Sequence, residues 1–132
     1  MEMVEVNTCE LVGPALDWAV AKADKKKIDD SRGKELRIDV VPGLQSPWIP
    51  SVNWSQGGPL IEKHGIRLDR STNGYSWYAG WMFSDAGWNA RYEIIDGEGD
   101  ESGISSPLVA ACRAIVTAKL GHEVSVPKEL MQ

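Results

Sequence analysis

The sequence predicts an α+β protein: an antiparallel sheet of about four to five strands with two main helices packed on it, in a single domain over residues 1–132. Three observations predict it. Apolar residues recur at helical spacing early in the chain, in Leu16, Ala19, Val20 and Ala23, and again late, in Leu108, Cys112, Ile115, Val116 and Leu120. Between these stripes, short segments alternate apolar with polar residues and are separated by Gly, Pro and Asn-Gly turns. The length suits one domain and lets the chain bury roughly two-thirds of the surface it would expose unfolded.

The opening Met1-Glu2-Met3-Val4-Glu5-Val6-Asn7 alternates and is acidic, which suits an edge strand better than a secretory leader. The first helix is expected over residues 14–23, because Pro14 at the first helical position loses no needed hydrogen bond. Trp18 falls off the centre of its stripe and is expected to cover a neighbouring loop or a partner surface. Residues 24–34 are charged and contain Gly33, and read as a mobile excursion. Leu36-Arg37-Ile38-Asp39-Val40-Val41 reads as a half-buried strand closed by Pro42-Gly43. Residues 45–58 mix Pro, Gly and two tryptophans and read as an ordered loop. Pro59 then opens a short helical turn ending at His64, with Gly58 as its N-cap and Gly65 just past its end.

Ile66-Arg67-Leu68-Asp69 alternates as a strand and leads through Ser71-Thr72-Asn73-Gly74 into a returning strand over residues 75–83. A turn at residues 84–87 and a further strand over residues 88–95 complete a meander of about three strands. Residues 96–103 are acidic and glycine-rich, hence a loop. Ser106 and Pro107 start the second main helix as N-cap and first helical residue, and Gly121 ends it. The run from Glu123 is a short extended piece stopped by Pro127.

A formal net charge of −5 argues against tracking the phosphates of duplex nucleic acid, which needs clustered Lys and Arg. The one basic run, Lys25-Lys26-Lys27, meets Asp29 and Asp30 at once and reads as a solvated helix end. No apolar run approaches the roughly 20 residues that cross a bilayer, so no membrane partner is expected. Cys9 and Cys112 are read as free, reduced thiols. Six tryptophans, at 18, 48, 54, 77, 81 and 88, stand against the single phenylalanine Phe83, a bias toward rings with a polar handle that favours binding surfaces.

Three blocks carry a resemblance. They are Leu11-Val12-Gly13-Pro14-Ala15-Leu16-Asp17-Trp18-Ala19-Val20-Ala21, Asn53-Trp54-Ser55-Gln56-Gly57-Gly58-Pro59-Leu60-Ile61-Glu62, and Ser106-Pro107-Leu108-Val109-Ala110-Ala111-Cys112-Arg113 with Lys119-Leu120-Gly121-His122-Glu123-Val124-Ser125-Val126-Pro127. Their order and wording resemble the small NinX-like proteins of tailed phages and prophages, over about half the chain. The resemblance implies a phage origin and a bacterial host cytoplasm as the setting. Val12 and Pro14 depart from the family pattern, which touches only the capping of the first helix.

The sharpest candidate ligand site is the second block. Gly57 and Gly58 allow close backbone approach, and the helix expected after them offers N–H groups to an anion. Asn53, Ser55 and Gln56 add neutral donors, and Trp54 offers a face for a flat ring. The plainer reading is a Gly-Gly-Pro turn that starts a helix and buries Trp54. No Gly-Lys-Ser or Gly-Lys-Thr follows, so this is not a Walker loop. Arg67 and Arg91, with Trp77 interleaved, could pair phosphate and stack rings on one surface, although Arg67 and Asp69 share a face and form a solvated ion pair in the plainer reading. His64 and His122 fall at helix ends where the dipole explains them, Cys112 lies on an apolar face as packing, and no metal-ligand spacing occurs. The acidic residues Asp96, Glu98, Asp100 and Glu101 read as a solvated loop, or as a grip on a basic host protein.

The expectation is a non-enzymatic phage accessory protein, active in counter-defence, that binds or sequesters a small nucleotide-like ligand without catalytic residues, metal or cofactor. The alternative is an inhibitor of a host protein acting through exposed tryptophans and the acidic loop. Self-association as a homo-oligomer is open in either case.

Overall fold

The computed structural model describes residues 2–70, 77–82, 90–91 and 106–131, the side chains of Arg70, Tyr78, Trp81, Met82, Ala90 and Arg91 excepted. At its centre lie two alanine-rich helices. Helix α1 (Gly13–Ala23) buries Ala15, Leu16, Ala19, Val20, Ala21 and Ala23, together with Asp17 and Trp18. The C-terminal helix (Pro107–Leu120) buries every residue from 108 to 117. A helix with one solvated face would surface every three or four residues, so a run buried on all sides is enclosed by other elements. The two pack against each other, and Ala19, Ala110, Ala111 and Ala114, all fully buried, keep bulk out of the helical core.

A third helix, α2 (Trp54–His64), lies against the C-terminal one, which is therefore α3. The strands flank this helical core as separate pieces. Strand β1 (Met3–Asn7) pairs antiparallel with β8 (Glu123–Pro127), Val4 opposite Val126 and Val6 opposite Val124. Strands β2 (Ile28–Asp29), β3 (Arg37–Val41) and β4 (Leu44–Pro47) form a second antiparallel sheet, and β5 (Ile66–Arg70), β6 (Trp77–Met82) and β7 (Ala90–Arg91) a third. The α+β class and the three-stranded meander agree with the sequence reading. The single sheet of four to five strands under two helices does not: the described residues form three helices and three sheets of two, three and three strands. Burial explains the difference, because helices enclosed on all sides take the centre and leave only the periphery to strands. The turns at 71–74 and 84–87 and the acidic residues 96–101 lie outside the described residues.

Residues 24–34 are not an excursion. The Asp29 carboxylate accepts from the Ser31 hydroxyl at 2.6 Å, the Ser31 amide at 3.0 Å and Gln45 Nε2 at 3.1 Å, which together hold its pKa down at about 2. Trp18 Nε1 donates to Asp30 Oδ2 at 3.1 Å, so this loop is what Trp18 covers.

Residues 45–58 also hold more structure than expected, namely β4 and the first half of α2. That helix starts at Trp54 with Asn53 as its N-cap, and Gly58 and Pro59 lie inside it. Gly65 ends it in the left-handed region at φ 62°, as read from the sequence. Packing overrides the poor helix propensity of Gly-Gly-Pro. A Cβ on Gly57 would stand 2.6 Å from Leu108 Cδ2 and 2.7 Å from the Pro50 carbonyl, so only glycine lets α2 lie this close to α3. The preceding loop is clipped to α1: Trp48 Nε1 donates to the Asp17 carbonyl at 2.8 Å, and the Ser51 amide to Asp17 Oδ1 at 2.9 Å. Burial pushes the Asp17 carboxyl up to about 6, against the partial offset of the Ser51 hydrogen bonds. Clasps of long sequence separation close the rest, with Arg113 Nε donating to the Leu11 carbonyl at 2.9 Å and the Thr8 hydroxyl to the Gly121 carbonyl at 2.8 Å. No described helix is long and apolar enough to cross a membrane.

Two stability measurements test this packing. Gly57→Ala should destabilise the fold by about 1–3 kcal/mol through overpacking, whereas Gly58→Ala, which meets nothing within 4 Å, should stabilise it by about 0.5–1 kcal/mol. Equal effects in denaturant unfolding would show that α2 does not rest on Gly57.

Asp17 sets a pH window. Its folded pKa lies above the ordinary 3.8, so the stability linked to its proton is full below about pH 4 and is lost as pH rises through about 6. Asp17→Asn should gain on the wild type by up to about 3 kcal/mol between pH 4 and pH 7. A wild-type-minus-variant difference that stays flat across that window would refute the buried, desolvated carboxyl.

Candidate functional site

The structure does not gather the residues of the expected ligand site. Asn53 Oδ1 accepts from the Ser55 amide at 2.9 Å and the Ser55 hydroxyl at 2.6 Å, so cap and neighbour satisfy each other. The Gln56 side chain is used at both ends, Nε2 donating to the Pro47 carbonyl at 2.6 Å and Oε1 accepting from the Ile49 amide at 2.8 Å. The Gln56 and Gly57 amides both turn back to the Asn53 carbonyl. The amides after Gly58 lie in the body of α2, and Pro59 has none to offer. The expected opening for an anion is therefore closed by the helix itself. Gly57 makes its close approach to Pro50 and Leu108, and Gly58 faces open space. Trp54 is 55% exposed, contrary to the plainer reading that buried it, and stands with Ile49 and Val52, which are exposed as well.

Arg67 and Trp77 are not brought onto one face of the sheet. Arg67 stands opposite Gly80 in the sheet, whereas Trp77 stands opposite Arg70, in phase with the buried Ile66 and the half-buried Leu68. Trp77 is half-buried against the core, and Arg67, exposed, bonds Asp69 at 3.3 Å across the shared face that alternation gives them. Arg91 is opposite Trp81 in the backbone register, and its side chain lies outside the described residues.

A different cluster is built by the fold. The last turns of all three helices border one cleft of about 430 Å³: Lys22 and Ala23 of α1 with Asp24 and Lys25 just beyond, Lys63 and His64 of α2, and Lys119 and Leu120 of α3. Its floor is Asp24, whose side chain is 1% exposed. Asp24 Oδ1 meets Lys63 Nζ at 2.8 Å and His64 Nε2 at 2.8 Å, and Oδ2 meets Lys26 Nζ at 3.2 Å. Burial alone would raise the pKa of this carboxyl, but the hydrogen bonds from Lys63, His64 and Lys26 outweigh it and hold the group below the ordinary value. Lys22 spreads over the Trp18 ring at 5.0 Å. Leu120, expected on the apolar face of α3, is instead 42% exposed.

Lysines at helix ends answer the negative end of the helix dipole, and that reading covers part of this cluster. It does not cover all of it. Three helix ends contribute roughly one and a half negative charges and Asp24 one more, against five lysines, so positive charge prevails in a chain whose net charge is −5. Lys25 adds an independent sign. Its amide bonds the Lys22 carbonyl and the next amide, of Lys26, bonds the Ala21 carbonyl, a Schellman closure whose left-handed position is usually glycine. Here Lys25 holds it at φ 57°, the only positive-φ non-glycine among the described residues, at a cost of about 1–2 kcal/mol. Sequence reading placed Lys25-Lys26-Lys27, His64 and His122 at helix ends one by one and did not single out Lys22, Lys63 or Lys119; no periodicity reveals that three helix ends meet.

Nucleophiles offer less. Both thiols are free, Cys9 exposed and Cys112 buried, and burial first, then Asp17, pushes the Cys112 thiol up, away from reactivity. Among the described residues no group of three or more His, Cys, Asp or Glu is placed to hold a metal ion.

The comparison with protein families agrees with these blocks. The chain matches the family described as Bacteriophage P22, NinX over residues 7–119, a span that begins at the end of β1 and runs almost to the end of α3. No curated protein matches it. With most of its length covered by one family, the chain belongs to the phage P22 NinX family.

Proposed function

We propose that this phage accessory protein works in the bacterial host cytoplasm by binding, without turnover, a small nucleotide-derived molecule, and that it does so in the basic cleft where the three helices end. The observation that carries the reading is the surplus of lysine charge around the buried Asp24–His64 pair, in a concavity of about 430 Å³ that matches the usual size of small-molecule sites. The strained backbone of Lys25 supports it, since glycine would be the more stable residue there and the ammonium group is what glycine would lose. In a phage setting, sequestration of such a molecule withdraws a host signal, which is the counter-defence role we assign.

One observation favours a second reading. Trp54, Ile49 and Val52 are exposed together beside the start of α2, which suits an inhibitor that docks on a host protein by an aromatic anchor.

Calorimetric titration with nucleoside diphosphates, triphosphates and cyclic dinucleotides at low salt decides between them. Binding tighter than millimolar is expected. Lys25→Gly should raise the melting temperature by a few degrees, as relief of about 1 kcal/mol predicts, and yet weaken binding. Trp54→Ala should leave the affinity unchanged. A loss of roughly one to two orders of magnitude on Trp54→Ala would move the site to the start of α2, since base stacking is worth about 1–3 kcal/mol. Absence of any nucleotide binding would end the ligand reading and leave the docking one.

A further inference from the structure

The groups that border the cleft also fix what part of a ligand they can hold. This step rests on the cleft being the ligand site and goes beyond it to the ligand's class. We infer that the cleft selects by phosphate charge and not by base: its ligands are compounds with two or more adjacent phosphate groups, and the nucleoside part contributes little.

The donor set argues for this first. Ammonium groups are point charges with three rotatable donors and no acceptor, well matched to phosphate oxygens and indifferent to the pattern of a base edge. A base edge presents donors and acceptors together. Among the described residues the one carboxylate on the cleft is Asp24, which is enclosed and paired with Lys26, Lys63 and His64, and the His64 ring that meets it is itself nearly buried. Main-chain carbonyls near the helix ends are partly consumed by the caps, where the amides of Lys25, Gly65 and Gly121 return to Lys22, Glu62 and Thr117. Among the described residues no Asn, Gln, Ser, Thr or Arg side chain borders the cleft.

Stacking platforms are scarce as well. Among the described residues no Phe, Tyr or Trp lines the cleft; the one ring there, the His64 imidazole, is only 8% exposed and bonds Asp24, and Trp18 is buried with Lys22 laid over its face at 5.0 Å. The apolar lining consists of Ala23 and Leu120. Base recognition without sequence reading ordinarily uses aromatic platforms, and the described lining gives a nucleobase no such platform.

Charge and span then set the number of phosphates. Once the helix ends and Asp24 are counted, a surplus of roughly two positive charges remains, which a dianion or a more highly charged group balances. The lysines come from three separate helix ends around a space of about 430 Å³, so one compact phosphate cannot meet them all, whereas a diphosphate or longer chain reaches between them. Inorganic pyrophosphate and the diphosphate of a nucleotide share this chemistry.

The test is calorimetric titration of the full chain at low salt with inorganic phosphate, pyrophosphate, ADP, GDP and adenosine. The inference expects pyrophosphate, ADP and GDP to bind within about threefold of one another, at least tenfold tighter than inorganic phosphate, with adenosine silent. It expects Lys119→Glu, a change at an exposed position, to weaken all three polyphosphates by tenfold or more while the melting temperature stays within a degree or two of the wild type. Binding of ADP more than tenfold tighter than pyrophosphate, or competition by adenosine, would overturn selection by charge and leave the cleft standing as a nucleotide site. Failure of every polyphosphate to bind below millimolar concentration would overturn both readings, and polyphosphate binding that ignores Lys119→Glu would place the site elsewhere.

Discussion

The enclosure of α1 and α3 by the rest of the chain is the constraint on which this structure depends. Alanines keep the two helices slim, and larger apolar groups such as Leu16, Val20, Ile115 and Val116 fill the space around them. A dry setting of this kind makes every polar group inside it demand a partner. Asp17 takes the Ser51 amide, Arg113 takes the Leu11 carbonyl, and the Thr117 hydroxyl returns to the Arg113 carbonyl. The first two bonds reach out of the helices, so the demand for satisfaction fixes where the loop before α2 and the entry to α1 must lie. The placement of α2 follows from it, and with that placement all three helices finish on the same side.

Much of the local structure was legible because it rests on short-range chemistry. Ser106 and Pro107 begin α3, Gly65 and Gly121 end α2 and α3, and the alternation after Gly65 becomes β5 of a three-stranded meander. What failed was layering. The stripes of α1 and α3 were read as one face each, yet small residues on the remaining faces allow enclosure just as well, and composition alone does not separate the two cases. Gly57-Gly58-Pro59 misled for a related reason: by propensity it starts a helix, while contact with Pro50 and Leu108 rewards glycine in the middle of one. Likewise the charged stretch after α1 folds because Asp29 and Asp30 find specific partners, which charge counting does not foresee.

The candidate site was legible only in pieces. Lys22, Lys63, His64 and Lys119 each sit where a helix dipole explains them, and nothing in the spacing of residues 22, 63 and 119 relates them. Their meeting is a property of topology, produced when α1 and α2 each come to rest on α3 with the last turns of all three bordering one cleft. The second block drew attention for donors that turn out to serve the fold: Asn53 caps, Gln56 clamps the end of β4, and Gly57 packs. The residues that carry the family resemblance are thus largely those that hold the helical core together, which is why they were easier to find than the cleft.

The pairing of β1 with β8 has a consequence for how the protein comes to exist. Val4 and Val6 find their partners only in Val126 and Val124, the last of which are buried against the core, and the Lys128 amide reaches back to the Glu2 carbonyl. Contacts between residues so far apart in the chain close late, because the loop entropy between them must be overcome first. A nascent chain still on the ribosome, with residues 123–127 inside the exit tunnel, holds its first strand unpaired and its central helices without their last cover. Completion of the fold therefore waits until residues 123–127 have left the tunnel, and a ribosome stalled before that point displays an open, sticky edge.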